Sequence, residues 1–241
     1  MSCVGNSRSN CDNKGTICLY TIDSSYEVRA EATDAADPPQ AYNSCPTKAA
    51  TAKYENNGVA VNDCRFQRTH GSIFGAVSDD CTITLWDIRT KTNPFFRILG
   101  HTSEIFSLDF AHNDEFLLLT SGSDNLVKLW DIRKVLRPVH EFAGHTDKVL
   151  RVEWNPHNET IFASCGEDRT VNLWDCAAIG NDVANEDNMD GPPELFFSHK
   201  GHKGIVEDVS WSPESDFELL TVDSENLVQI WEIDDKIYYE E

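Results

Sequence analysis

The sequence lacks the short motifs that mark most enzymes and metal sites. Its eight cysteines (3, 11, 18, 45, 64, 81, 165 and 176) include no CxxC pair and no zinc-ligand spacing. HExxH, GxSxG, a P-loop and a dinucleotide-binding glycine run are all missing, and no nucleophile stands beside a free histidine and acid. A non-catalytic chain is therefore expected, with no cofactor, no metal and no small-molecule substrate. No apolar run approaches about 18 residues and the start, MSCVGNSRSN, has no signal-type apolar core, which argues against a membrane span and against secretion. Basic side chains are scarce, with 20 Lys and Arg against 41 Asp and Glu. Of the net charge of −21, residues 151–241 carry −17, from 22 acidic and 5 basic side chains. Such a surface repels nucleic acid and favours basic partners.

What is present is a period. The stretch Gly100 to Asp131, GHTSEIFSLDFAHNDEFLLLTSGSDNLVKLWD, places His101, Asp124 and Trp130. His145, Asp168 and Trp174 follow 44 residues on, His202, Glu225 and Trp231 a further 57, and Asp80 with Trp86 stand 44 residues before. A repeat of about 40 to 45 residues that opens on Gly-His and closes on Trp-Asp resembles a WD-repeat blade of four short antiparallel strands. At +4, +7 and +9 from each histidine the chain reads Ile105, Leu108, Phe110, then Val149, Val152, Trp154, then Val206, Val209, Trp211. Apolar residues alternate before each tryptophan (Val127 and Leu129, Val171 and Leu173), the period of a strand. An all-β propeller is expected. Cys64 falls in one of the core columns, so the thiols read as reduced and intracellular.

Buried polar markers need partners. Thr120, Ser164 and Thr221 each stand four residues before the acid, so a chain of bonds can run from Trp N–H to hydroxyl, hydroxyl to imidazole, and imidazole to carboxylate. Three structural networks are expected: His101, Thr120, Asp124, Trp130; His145, Ser164, Asp168, Trp174; and His202, Thr221, Glu225, Trp231.

These markers divide the chain into a disordered N-terminus (1–14), a partial blade with a long loop (15–56), a degenerate blade (57–100), and complete blades at 101–144 and 145–201. A three-stranded terminal blade (202–233) and an acidic tail (234–241), read as a short helix, complete it. The degenerate unit has Asn57 for His and Ala76 for Ser or Thr, so its network cannot form as in its neighbours and this blade is expected to be the softest. The count is about four blades where rings of this repeat usually have seven; either the chain is a piece of a longer one or another chain completes the ring.

One blade breaks the rhythm. Trp174 and His202 are 28 residues apart, whereas Trp86 and His101, like Trp130 and His145, are 15 apart. The excess lies in CAAIGNDVANEDNMDGPPELFF, which carries Asp182, Glu186, Asp187, Asp190 and Glu194 and runs through Pro192 and Pro193 into Leu195, Phe196 and Phe197. Insertions on a rigid scaffold are where binding residues gather; a tolerated surface loop leading into ordinary strand core is the alternative.

With WNPHNETIFAS, NMDGPPELFFSHKGH and SENLVQIWEI, this insert is similar to the C-terminal half of the retinoblastoma-binding histone-chaperone WD-repeat proteins, the small histone-binding subunits of chromatin assembly factor and related complexes. The likeness runs from about Thr16 to Tyr239. It implies a nuclear location, the cytoplasm second, and core histones and chromatin-complex subunits as partners. It also implies a grip on a basic histone helix by Glu186, Asp187, Asp190, Pro192, Pro193, Leu195 and Phe197. Ser198 stands where the family has an aliphatic residue, and Lys148 and Asn62 stand where it has glutamates at the ring mouth. The family's N-terminal helix has no counterpart in these residues. A second reading, a substrate receptor of a cullin-type ubiquitin ligase, comes from Trp86-Asp-Ile-Arg89 and Trp130-Asp-Ile-Arg133, which match the WDxR pattern of such receptors; a surface ion pair explains each arginine equally well.

Overall fold

A computed structural model describes residues 7–11, 16–21, 52–56, 58–90, 93–181 and 191–233. They form five antiparallel sheets. The first holds β1 (Ser7–Cys11), β2 (Thr16–Thr21) and β3 (Ala52–Glu55). The second holds β4 (Val61–Phe66), β5 (Ile73–Ser78), β6 (Thr82–Asp87) and β7 (Phe96–Leu99). The third holds β8 (Ile105–Phe110), β9 (Leu117–Gly122), β10 (Leu126–Asp131) and β11 (His140–Ala143), and the fourth β12 (Val149–Trp154), β13 (Ile161–Gly166), β14 (Val171–Asp175) and β15 (Leu195–His199). The fifth holds β16 (Val206–Trp211), β17 (Glu218–Asp223) and β18 (Val228–Glu232). Strands in each sheet pair in chain order, and the inner strands β4, β8, β12 and β16 pack side by side. The chain is a partial propeller.

The N-terminal expectation is corrected. Residues 7–11, read as disordered, form β1 and pair antiparallel with β2 from Ser7↔Thr21 to Cys11↔Ile17. SRSNC has no apolar alternation for a pattern to catch, because the pairing there is main-chain hydrogen bonding. The acidic tail 234–241 lies outside the described residues.

The cores sit between blades. Ile105, Leu108 and Phe110 bury against Val77, Ile83 and Leu85; Val149, Val152 and Trp154 against Leu119, Val127 and Leu129; Val206, Val209 and Trp211 against Ala163, Val171 and Leu173. Gly75 is where one interface is tightest, since a Cβ there would stand 2.6 Å from Leu108 Cδ1. In the second to fifth sheets each hairpin between second and third strands turns through one left-handed residue: Cys81, Asn125, Arg169 and Asn226, with φ of 63°, 65°, 64° and 64°. In each blade that residue directly follows the acid column, so the turn holds the acid beside the blade entrance.

Candidate functional site

The buried polar chains come first, because they fix the blades on which any site rests. His101 Nδ1 lies 2.8 Å from Asp124 and its Nε2 2.8 Å from Thr120 Oγ1, which accepts Trp130 Nε1–H at 2.9 Å. In the fourth blade His145 meets Asp168 at 2.8 Å and Ser164 at 2.7 Å, and Trp174 donates to Ser164 at 2.8 Å. Burial alone would raise the Asp124 carboxyl, but the imidazole bond and charge of His101 override it and hold the group at about 2.

The fifth blade differs from expectation. His202 Nε2 meets Thr221 at 2.9 Å and Trp231 donates to Thr221 at 3.1 Å, but Nδ1 is held by Asp223 at 3.0 Å, not by Glu225. The reason lies in the column. Asp223 stands where the earlier blades have Gly122 and Gly166, and a Cβ on Gly122 would sit 2.9 Å from His101 Nδ1. A side chain at that position is already beside the ring, so Asp223 replaces the acid two residues on, and Glu225 is exposed.

The degenerate second blade is also rewired. Asn56 Nδ2 donates to Ser78 Oγ at 3.0 Å, Ser78 to Asp80 at 2.8 Å, and Arg97 joins Asp80 at 2.8 Å and Asn56 at 3.0 Å. Trp86 donates to Thr84 at 3.0 Å. The network does not form as in the neighbouring blades, as expected; Asn56, Ser78, Thr84 and Arg97 build a different one in its place. Asn57 lies outside the described residues.

Sequence reasoning missed an axial girdle. At +6 the inner strands carry Asp63, Ser107, Arg151 and Asp208, and at +8 Arg65, Asp109, Glu153 and Ser210. Arg151 reaches past the third blade to Asp63 at 3.0 Å and also meets Asp208 at 3.1 Å; Asp63 accepts from Ser107 Oγ at 3.0 Å, and Asp109 from the Trp154 N–H at 2.9 Å. Four successive blades are tied at the axis. Burial lifts the carboxyls of Asp63, Asp109 and Asp208, and burial with the neighbouring Asp109 lifts Glu153 to about 8. The signal was present as two charged columns in phase with the apolar ones.

At the insert the chain leaves β14 through a short 3-10 turn, Cys176–Ala178, capped by Asp175 on Ala177 N–H. Glu186, Asp187 and Asp190 lie outside the described residues. The return is well anchored. Gly191 takes φ +123°, Leu195 N–H bonds Pro192 O at 2.9 Å, and Asp175 N–H bonds Glu194 O at 2.8 Å. Glu194 turns inward, 6% exposed, onto His140 of β11 at 2.8 Å, so it leaves the acidic surface and ties the insert to the third blade.

Leu195 packs into the core between third and fourth blades, Phe197 into that between fourth and fifth, 6.0 Å from the Trp231 ring. The two were expected to grip one helix together. A bulge between Leu173 and Trp174, where Leu195↔Trp174 is followed by Phe197↔Leu173, turns them to opposite sides. Pro192 and Pro193 stay half-buried.

The remaining expected positions are each engaged. Arg89 grips Asp87 through Nε at 2.9 Å and Nη2 at 2.6 Å, and Arg133 grips Asp131 at 2.9 Å while lying 4.1 Å over Phe116. Both WDxR arginines therefore close turns within their own blades. Lys148 pairs with Glu167 at 3.3 Å, Asn62 bonds Asp79 and Ile105 O at 2.8 Å each, and Ser198 bonds Asn172 at 2.7 Å. Among the described residues no three His, Cys, Asp or Glu side chains gather as metal ligands.

Comparison with known families agrees with this architecture. Residues 41–174 match the model of the EIPR1 beta-propeller, and residues 193–232 match the WD domain, G-beta repeat. The second match begins in the Pro-Pro turn and runs through β15 to the end of β18, the repeat unit being offset from the blade by one strand. With more than half of its length matched, the chain belongs to the WD-repeat family described by the EIPR1 beta-propeller model.

Proposed function

We propose that this WD-repeat propeller, a protein-interaction scaffold, is a non-catalytic, nuclear histone-binding subunit of chromatin-assembly or histone-modifying complexes, and that its insert receives a basic amphipathic helix of a core histone. The observation that carries the reading is the anchored return of the insert. The Gly191–Leu195 turn is held by Glu194 on His140 and by Leu195 in the core. A turn held in this way loses little conformational freedom when it binds. The three carboxylates that precede the turn in sequence, Glu186, Asp187 and Asp190, add charge to a half of the chain that is already strongly acidic. Acids just before half-buried prolines in sequence suit a helix with arginines flanking apolar residues, the charges steering encounter and burial supplying most of the affinity. Because Leu195 and Phe197 face apart, the helix meets the prolines and Phe197 and not one continuous strip. The run Asp190 to Leu195, DGPPEL, and its likeness to the histone chaperones point to a histone among basic partners.

The test is a titration of a core-histone helix peptide against wild type, Phe197→Ala, and Asp187→Asn with Asp190→Asn, at low and moderate salt. Phe197→Ala should weaken binding at every salt concentration; the double variant should slow association and flatten the salt dependence. Equal binding by all three proteins removes the insert from the interface.

A further inference from the structure

Where two blades meet at the rim, the residue that opens the outer strand sits over the seam between them. In the third blade that residue is His140, which pairs with Leu129 on the side that packs against the fourth blade. The fourth blade's own connection covers it: Glu194 bonds His140 Nε2 at 2.8 Å and Leu195 enters the core beneath. In the second blade the same place is held by Phe96, which pairs with Leu85 and, two residues before Ile98, shares its side facing the third blade. Ile98 is buried, yet Phe96 is 38% exposed, and the Phe95 ring 5.4 Å away extends the ledge. Both blades have a neighbour on each side, so this exposure belongs to the seam itself.

The third blade's connection is the cause. Residues 132–139 enter the seam with Ile132 and Val135, as Cys176 and Ile179 do in the fourth blade. The chain then returns directly to β11, with nothing in the place of Glu194 and Leu195. Around the anchored Val135, the side chains of Lys134, Leu136 and Arg137 all face solvent, Leu136 completely. Arg133 is committed to Asp131 and to the Phe116 ring, but among the described residues no carboxylate stands within ion-pair distance of Lys134 or Arg137. In a chain of net charge −21, the run Arg133 to Val139, RKVLRPV, contains no acid. One seam is thus apolar beside two unpaired cations, and the next is closed by a carboxylate and a leucine.

We propose that the seam between second and third blades docks an acidic segment of a partner protein, which supplies from outside what Glu194 and Leu195 supply in the next seam. An aliphatic side chain lies against Phe96 and Leu136, and carboxylates meet Lys134 and Arg137. Burial of apolar surface gives the affinity, and the two unpaired cations select and orient an acidic chain. The arginines of the WDxR motifs take no part, since each is held within its own blade. A basic histone helix is repelled here, so the surface is separate from the insert and does not depend on the histone reading.

The probes are three 12-residue peptides with one shared aliphatic pattern and glutamate, glutamine or lysine at the polar positions. Fluorescence anisotropy measures them against wild type, Lys134→Gln with Arg137→Gln, Lys134→Glu with Arg137→Glu, Leu136→Ser, and the insert variant Asp187→Asn with Asp190→Asn. The glutamate peptide should bind wild type at least tenfold more tightly than the glutamine peptide. The paired glutamine variant should abolish that gap without lowering Tm, and the paired glutamate variant should prefer the lysine peptide. Leu136→Ser should weaken both the glutamate and glutamine peptides, and the insert variant should behave as wild type. The proposal is overturned by equal binding of the glutamate and glutamine peptides to wild type, or by a gap that the paired glutamine variant keeps. Tighter binding of a 16-nucleotide single-stranded DNA than of the glutamate peptide, lost in the same variant, overturns it by assigning the cations to phosphates. A dimer in light scattering that Leu136→Ser makes monomeric overturns it by assigning the seam to a second copy.

Discussion

Asp223 holds His202 at 3.0 Å from a position where the third and fourth blades have Gly122 and Gly166. The histidine, hydroxyl and tryptophan of the blade keep their column; the acid moves by two residues and shortens from glutamate to aspartate. Asp223 also caps its own turn, accepting the N–H groups of Glu225 and Leu227 at 3.0 and 3.1 Å. One side chain does both jobs.

Asp223→Ala should therefore cost about 1 to 3 kcal/mol, because it leaves the buried imidazole of His202 without its acceptor. Glu225→Ala should stay within about 0.5 kcal/mol, as exposed substitutions do. Urea denaturation midpoints of the two variants decide it; a larger loss in Glu225→Ala would restore the acid column of the other blades.

In the second blade, Ser78→Ala should destabilise by about 1 to 2 kcal/mol, comparable to Ser164→Ala in the fourth, since both hydroxyls are buried and link several partners. Thermal melts of the two variants provide the comparison. A Ser78→Ala variant as stable as wild type would mean that the Asn56, Ser78, Asp80 and Arg97 chain contributes nothing.

The periodicity made the blades legible, since Trp-Asp closures and the +4, +7, +9 columns are apolar and in phase. Three things were not legible for three separate reasons. β1 is held by main-chain pairing in a polar segment. The rewired second blade draws Asn56 and Arg97 from outside the expected columns. Leu195 and Phe197 part company through a bulge, which depends on pairing register and leaves no composition signal. The axial girdle was readable in its charged columns, yet its partners span blades, as Asp63 and Arg151 do, 88 residues apart.

The girdle sets a pH dependence. Glu153 titrates at about 8 against an ordinary 4.5, burial being the main cause. The folded chain keeps a proton there that the unfolded chain has lost, so this contribution to stability is fully present below pH 4.5 and is lost as pH rises through 8. Asp124, at about 2 against 3.8, works in the opposite sense, its contribution disappearing as pH falls through 2. Glu153→Gln should flatten the fall in stability between about pH 5 and 9, a difference of a few kcal/mol. Denaturation at both pH values measures it; parallel losses in wild type and variant would free Glu153 of that role.

Arg169 holds φ 64° at the turn of the fourth blade with an exposed side chain. A left-handed residue with a Cβ costs roughly 1 to 2 kcal/mol, and asparagine bears it better. Asn125 and Asn226 already occupy that place in the third and fifth blades. Arg169→Asn should raise Tm by a few degrees in calorimetry, and a lower Tm would show that the arginine side chain contributes more than the turn strain takes away.

The central claim is that a basic histone helix is received at the insert and not at the axial mouth. Hydrogen–deuterium exchange of the full chain, with and without a core-histone helix peptide, measures it most directly. The account predicts slowed exchange from Cys176 through His199, with the inner strands β4, β8, β12 and β16 unchanged. Protection confined to those inner strands, with the insert exchanging as before, would contradict it.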